Sequence, residues 1–193
     1  MSLTQGRLFS ITIASAVATV GTSTTLLEQV NAVSTNEKLL AVVTRELEFK
    51  EPKVTTEEVK LLGATSGNQN QELDPQSPSK GELTMTLIMC PEDENDLDLQ
   101  AFKLTATSGL SGTASGYTRY NYASAPPTAG VSILIQSNAG SSKPIVSWLM
   151  NNATIENLGG VKVSADGYAT QDVNVTAAAN DCWIEFDVDG GTA

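Results

Sequence analysis

The sequence predicts a mainly β fold, and three observations carry that expectation. Residues 151–186 alternate apolar and polar side chains through Val161, Val163 and Ala165, turn at Asp166-Gly167 and resume from Tyr168 to Val175; a third alternating run starts at Cys182 and reaches Val188. Residues 82–89, ELTMTLIM, place Leu83, Met85, Leu87 and Met89 on one face. Period-two alternation is what a strand with one covered face requires. The third observation is composition: 40% of the residues are hydrophobic but only 5% aromatic. Thr, Ser, Asn and Gly fill much of the remainder, which favours strands and irregular loops over helical bundles. A chain of 193 residues fits one domain, or one domain with long arms.

Taken in order, residues 1–38 read as an N-terminal arm and 39–193 as the β domain. Residues 8–20 form an apolar run behind Arg7 that is too short to span a bilayer, which takes about 20 residues. Ser10, Thr12, Ser15 and Thr19 also interrupt it, so no membrane insertion is expected. Phe9, Ile11 and Ile13 share a face at period two, giving a buried strand, with a short helix as the alternative. After GTSTT at 21–25, TLLEQVNAV at 25–33 suits a short helix capped by a Thr hydroxyl.

Residues 39–50 and 54–62 are expected as a strand pair, interrupted at Glu51-Pro52 because proline cannot donate to a ladder. Residues 63–81, GATSGNQNQELDPQSPSKG, are polar, contain two prolines and read as a long loop. Loops of that length in a compact domain usually serve function. Pro91 followed by an acidic first turn predicts a helix, because carboxylates complement the helix dipole. Leu97, Ala101 and Leu104 would then face the sheet, with Phe102 beside them. Residues 105–130 read as an insert with an edge strand at YTRYNY, and 131–136 and 145–150 as central strands.

The composition excludes several functions. With no histidine, Ser-His-Asp and Cys-His catalysis, imidazole metal sites and the ordinary pH switch are absent. Cys90 and Cys182 are too few for a four-thiolate zinc site; they either pair or sit buried as thiols. Asp93, Glu94, Asp96 and Asp98 lack the central glycine and closing glutamate of a calcium loop, and read as a dipole-compensating helix start. Asp181, Glu185, Asp187 and Asp189 alternate near the C-terminus, without a cleft to make them an acid–base pair. The sequons at Asn152 and Asn174 are chance matches in an Asn- and Thr-rich chain. Trp148 and Trp183 suit core anchors. Tyr117, Tyr120 and Tyr122, with Arg119 alone beside them, suit a subunit interface better than a nucleic-acid groove. No catalytic residue, cofactor or metal ligand is expected, and the protein is read as a non-enzyme. The net charge of −11 argues against phosphate neutralisation and against anionic membranes. It fits a protein that lets DNA slide past, or one living in high salt.

The order strand, strand, long loop, strand, acidic-capped helix, then several strands, with VSADGYATQDVNV at 163–175 in a C-terminal meander, resembles the major tail tube proteins of long-tailed, siphovirus-like bacterial and archaeal viruses. The resemblance covers roughly residues 39–188; the N-terminal arm and the 105–130 insert have no counterpart. It implies a β-sandwich or barrel of the tail tube type, with one flanking α-helix and a long inter-strand loop. Such subunits form homo-oligomeric stacked rings, hexameric or pseudo-hexameric, joined to other tail proteins. They conduct the double-stranded DNA genome in transient passage without specific binding. The implied place is the virion tail, assembled in the host cytoplasm. On this reading Glu46, Glu48, Glu57 and Glu58 are lumen-facing acids, and Gln69, Asn70, Glu72, Asp74 and Lys80 belong to a loop reaching the next ring. Two other functions remain open: another filament or virion surface subunit (pilus-like or a decoration protein), and a carbohydrate-binding β-sandwich with the tyrosines as its platform.

Overall fold

The computed structural model describes residues 9–33, 36–38, 48–54, 56–59, 72–75, 78–89, 98–106, 117, 119–122, 130–137, 146–165 and 167–186. In chain order these form β1 (Phe9–Ser15), α1 (Leu26–Asn31), β2 (Asn36–Lys38), β3 (Glu48–Lys50), β4 (Thr56–Val59), β5 (Glu72–Pro75), β6 (Gly81–Ile88), α2 (Asp98–Phe102), β7 (Leu104–Ala106), β8 (Tyr120–Tyr122), β9 (Val131–Ser137), β10 (Val146–Asn157), β11 (Lys162–Val163), β12 (Ala169–Ala177) and β13 (Cys182–Phe186). Nine strands make one antiparallel sheet in the order β2-β1-β9-β10-β12-β6-β3, with β11 on β12 and β13 on β10. The sheet curls into a half-barrel. β4–β5 and β7–β8 are separate two-stranded sheets.

The long strand β10 holds the two halves together. Its start, Val146 to Met150, lies between β9 and β13, and its end, Thr154 to Asn157, pairs with β12. Met150 and Ala153 both face the main core, although an odd spacing cannot place two residues on one face of a regular strand. The register shift between them, with Asn152 at φ 47°, inserts the extra residue that a bulge needs and bends the strand from one half to the other.

The main core fills the inside of the curl. Ile11 and Ile13 of β1, Leu83, Met85 and Leu87 of β6, Ile133 and Ile135 of β9, and Val173 and Val175 of β12 all point there. Ala101 and Phe102 of α2 join this core as expected, but Leu104, expected on the same helix, begins β7 because the helix ends at Phe102; residues 91–97 lie outside the described residues. On the other side of the first half, α1 lays Leu26 and Val30 over Ala14, Leu134 and Leu149. Strand β9 is therefore covered on both faces, and Val131 to Gln136 are buried without a break. That is why VSILIQ reads as a near-continuous run and not as clean alternation.

Helix α1 has two turns at most, so its ends must be fixed from outside. The Thr25 hydroxyl accepts the Glu28 N–H at 3.2 Å, and the Glu28 carboxylate accepts the Thr25 N–H at 2.9 Å. This reciprocal capping box is joined by Glu185 of β13, whose Oε2 accepts the Leu26 N–H at 3.1 Å. Thr25→Ala is expected to lower stability by about 1 kcal/mol, read as a shifted urea midpoint with an unchanged slope.

Several sequence expectations need correction. The strands near residue 50 do not pair with each other: β3 pairs with β6, and β4 with β5. The second partner is part of the stretch expected as a loop, since β5 occupies residues 72–75 of 63–81. The C-terminal run is not a simple meander either. β12 is followed by a strand that pairs with β10 instead, and β11 is a two-residue strand whose Val163 is 75% exposed. Cys182 is a free thiol; Cys90 lies outside the described residues. The Cys182 sulfur sits against the start of β6, where a Cβ on Gly81 would meet it at 2.6 Å. Partial burial there pushes its pKa up, away from the thiolate form that reacts.

Candidate assembly surface

The outer face of the second half of the sheet is built by parity. Phe49, Leu83, Met85, Leu87, Val173, Val175 and Ile155 turn inward. Their neighbours Glu48, Lys50, Glu82, Thr84, Thr86, Asp172, Asn174, Thr176, Thr154 and Glu156 must turn outward. Register aligns them in rows: Glu48, Thr84, Asn174 and Glu156 cross four strands, and Lys50, Glu82, Thr176 and Thr154 cross the same four. Thr84 Oγ1 donates to Asn174 Oδ1 at 3.3 Å and Thr86 Oγ1 to Asp172 Oδ1 at 2.6 Å. Lys162 Nζ reaches Asp172 Oδ2 at 2.7 Å, and Lys50 Nζ reaches Glu82 Oε2 at 3.4 Å. The result is a polar, hydrogen-bonded plate on which carboxylates outnumber the two lysines and hold both of them. Such a plate repels a polyanion more than it binds one.

Asp172 is the anchor of this plate. The hydrogen bond from Lys162, then that from Thr86, lowers its pKa below the ordinary 3.8. A carboxylate with a depressed folded pKa stabilises above its unfolded value, and that stabilisation fades as pH falls through the folded value. Asp172→Asn is therefore expected to cost roughly 0.5–1 kcal/mol at pH 7, within the range of a partly exposed pair. The cost should shrink as pH falls from 7 through the lowered pKa of Asp172. Urea unfolding of both proteins at pH 7 and through the acid range measures it.

Of the four acids predicted to line a lumen, Glu48 lies on this plate, exposed beside Thr84. Glu57 and Glu58 lie on β4, opposite Asp74 and Leu73 of β5, in a hairpin separate from the large sheet. Glu46 is outside the described residues. Of the predicted inter-ring residues, Glu72 and Asp74 are on β5, Lys80 is exposed just before β6, and Gln69 and Asn70 are outside the described residues. The structure thus brings Glu57, chosen for a lumen, into register with Asp74, chosen for a ring contact. The plate also contains Glu82, Glu156 and Asp172, which the sequence reading passed over. For Glu82 the signal was present, since it alternates with the apolar face of ELTMTLIM.

Of the acids near the C-terminus, Asp181 and Glu185 are put to different uses, and Asp187 and Asp189 lie outside the described residues. Glu185 caps α1, whereas Asp181 sits in a 3₁₀ turn and accepts from Asn152 Nδ2 at 3.4 Å. Among the described residues, no three Cys, Asp or Glu side chains gather as a metal site. No helix among them is long and apolar enough to cross a membrane. Trp148 packs on the main core and Trp183 on the second, as anchors. Tyr117 and Tyr122 are exposed.

No protein-family model matches the sequence, and no curated protein matches it. Solved structures do. A chain in the cryo-EM structure of the anti-feeding prophage (AFP) baseplate, 6-fold symmetrised, is 9% identical and superposes at a TM-score of 0.50, over 96% of this chain and 97% of that one. A chain of the PVC extracellular contractile injection system, in its sheath/tube terminator, is 12% identical at a TM-score of 0.49, covering 91% and 92%. A chain of the AFP tube-terminating cap is 12% identical at 0.46, covering 96% and 99%. These assemblies are injection-system and prophage particles, where the sequence resemblance had pointed to long-tailed viruses. The first superposition, nearly end to end in both chains, shows that the two chains share a fold.

Proposed function

We propose that this protein is a structural subunit that polymerises as stacked rings into a tail-type tube, within a contractile injection particle or a virus tail. The observation that carries the reading is the end-to-end sharing of fold with a chain of the AFP baseplate. The sixfold symmetry named for that particle supports a hexameric ring here. The acidic plate supports a channel wall that a polyanion passes without sticking, so double-stranded DNA is a fitting cargo. Glu48 belongs to that wall. The β4–β5 hairpin, with Glu57, Glu58, Glu72 and Asp74, and the adjoining Gln69, Asn70 and Lys80, form the contact with the next ring; Glu46 extends the wall. Other tail components complete the particle, in the virion tail of a virus or its equivalent, after assembly in the host cytoplasm.

Negative-stain microscopy of the purified protein over a range of salt and protein concentration tests this. Hollow rings or tubes with an axial pore are expected; solid fibres would instead favour a pilus-like subunit. Replacing residues 60–71 with a two-residue Asn-Gly turn, suited to a hairpin, is expected to leave unfolding unchanged and to abolish stacking. Tubes of normal length from that variant would refute a role for residues 60–71, Gln69 and Asn70 among them, in the ring contact.

A further inference from the structure

The corner where α2 meets the end of β10 and the start of β12 holds three buried amide oxygens that meet no donor. Asn157 on β10 and Gln171 on β12 have the inward parity of Ile155, Val173 and Val175. Asn157 stands opposite Val173, and Gln171 is two residues from Val173 along β12. The two amides are therefore diagonal neighbours on the inner face, within reach of long side chains. α2 packs on the same two strands, and its Gln100 lies two residues before the Phe102 carbonyl that Asn157 touches. Gln100 Oε1, Asn157 Oδ1 and Gln171 Oε1 are closed off from solvent and have no hydrogen-bond partner among the described residues. Gln171 is the deepest of the three side chains, only 4% exposed.

The amide nitrogens fix which atoms are left over. Gln171 Nε2 donates to the Gly159 carbonyl at 2.8 Å, and Asn157 Nδ2 donates to the Phe102 carbonyl at 3.4 Å. Turning either amide over would set oxygen against oxygen, so the atoms left over are acceptors. Buried acceptors are met in folded proteins by a donor or an ion. A water has two hydrogens to give, fewer than the acceptors present, whereas a cation serves all of them at once. The Gly159 and Phe102 carbonyls each keep a second lone pair that can add to the set. No carboxylate stands at an inward position of β6, β10 or β12 in this half of the sheet, since Glu82, Glu156 and Asp172 turn outward. Calcium and magnesium are held by carboxylates, so a neutral oxygen set suits a single positive charge, and the net charge of −11 draws cations to the molecule.

We propose that Gln100, Asn157 and Gln171 bind one small monovalent cation, sodium or potassium, through these three oxygens. The ion ties the end of α2 to β10 and β12. The site belongs to the single subunit and stands or falls apart from the tube reading.

Melting of the full chain in sodium, potassium and tetramethylammonium chloride at equal ionic strength tests it, because the organic cation is too large for a buried site. Sodium or potassium is expected to raise the melting temperature by about 3–5 °C over tetramethylammonium, when the salt is about tenfold above its Kd. Gln171→Met keeps the volume and the charge of the chain but removes one oxygen, and is expected to lose that difference. Asn157→Leu, at a less buried position, provides the same test should Gln171→Met not fold. The wild type is also expected to broaden the sodium NMR resonance more than Gln171→Met does; the two carry equal charge, so ions gathered at the acidic surface cancel. Equal melting in the three salts, the result for a neutral water or for oxygens left unmet, overturns the proposal. A difference that survives in both variants overturns it as well. Lys103, next to Phe102, is the nearest internal cation in sequence, and Lys103→Met is expected to keep the wild-type difference. A difference seen only in Lys103→Met would assign the oxygens to the Lys103 ammonium and overturn the ion site.

Discussion

Asn151→Ala is expected to destabilise the protein by about 3–5 kcal/mol. The Asn151 side chain is buried inside β10 and takes the place of a strand partner for the segment after β1. Its Oδ1 accepts the Val17 N–H at 2.9 Å, and its Nδ2 donates to the Val17 carbonyl at 2.9 Å. Ser132 Oγ donates to the same Oδ1 at 2.6 Å. Truncation strands a buried backbone carbonyl and a hydroxyl, and leaves the Val17 N–H only the longer bond to Ser132 Oγ at 3.2 Å. Each buried group left unsatisfied costs about 1–3 kcal/mol, and the cavity adds to that. The melting temperature should fall by roughly 10 °C, at 2–4 °C per kcal/mol for a chain of this size. Asn151→Asp makes a sharper test, because it keeps the shape and the acceptor but loses the donor and buries a charge facing the Val17 carbonyl. Protonation restores an O–H donor, so the deficit of this variant should shrink as pH falls below its burial-raised pKa. A deficit below about 1 kcal/mol in Asn151→Ala, or one that is independent of pH in Asn151→Asp, would show that the network is dispensable.

Gly130→Ala is expected to be comparably damaging, by a different route. A Cβ at Gly130 would lie 2.6 Å from Asn152 Cα and 2.8 Å from its carbonyl carbon. These are backbone atoms of the bulge that carries β10 between the two halves of the sheet, so no side chain can swing aside. Overpacking a well-filled site costs about 1–3 kcal/mol, and the upper end or beyond is expected here because the bulge has to move. Gly160→Ala is the control: nothing lies within 4 Å of the added carbon, and a neutral or slightly stabilising change is expected. Equal unfolding midpoints for the two variants would rule out the close approach as the reason for glycine at 130.

These two sites also mark how far the sequence could be read. Period-two alternation located β1, β6 and β12, each with one face against a core, and a near-continuous apolar run located β9, which is covered on both faces. The helix at 25–33 was legible from Thr25 and its spacing. Pairing was not legible. VTTEEV and ELDP are polar on both sides, so nothing in them says that β4 and β5 belong together. β13 alternates equally well as a partner for β12 or β10, and nothing local says that it pairs with Val146 to Met150. Asn151 looks like any polar residue in a strand, since its partner Val17 is 134 positions away. For the candidate surface, the outward row of β6 was visible in ELTMTLIM. Its joining with Asp172 and Glu156 depended on sheet order, which no local pattern encodes.

The pairing of β1 with β9, from Phe9 opposite Ser137 to Ser15 opposite Val131, has a consequence for synthesis. One edge of β1 meets β2 early, but its other edge has no partner until most of the chain has followed, and α1 has no complete surface to cover until β13 arrives with Trp183 and Glu185. Such non-local closure makes folding slow and late. A chain cut short before β9 therefore leaves one edge of β1 open and never presents a finished sheet. A growing polymer is thereby protected from incomplete subunits, because a fragment that cannot close its sheet has no face to add.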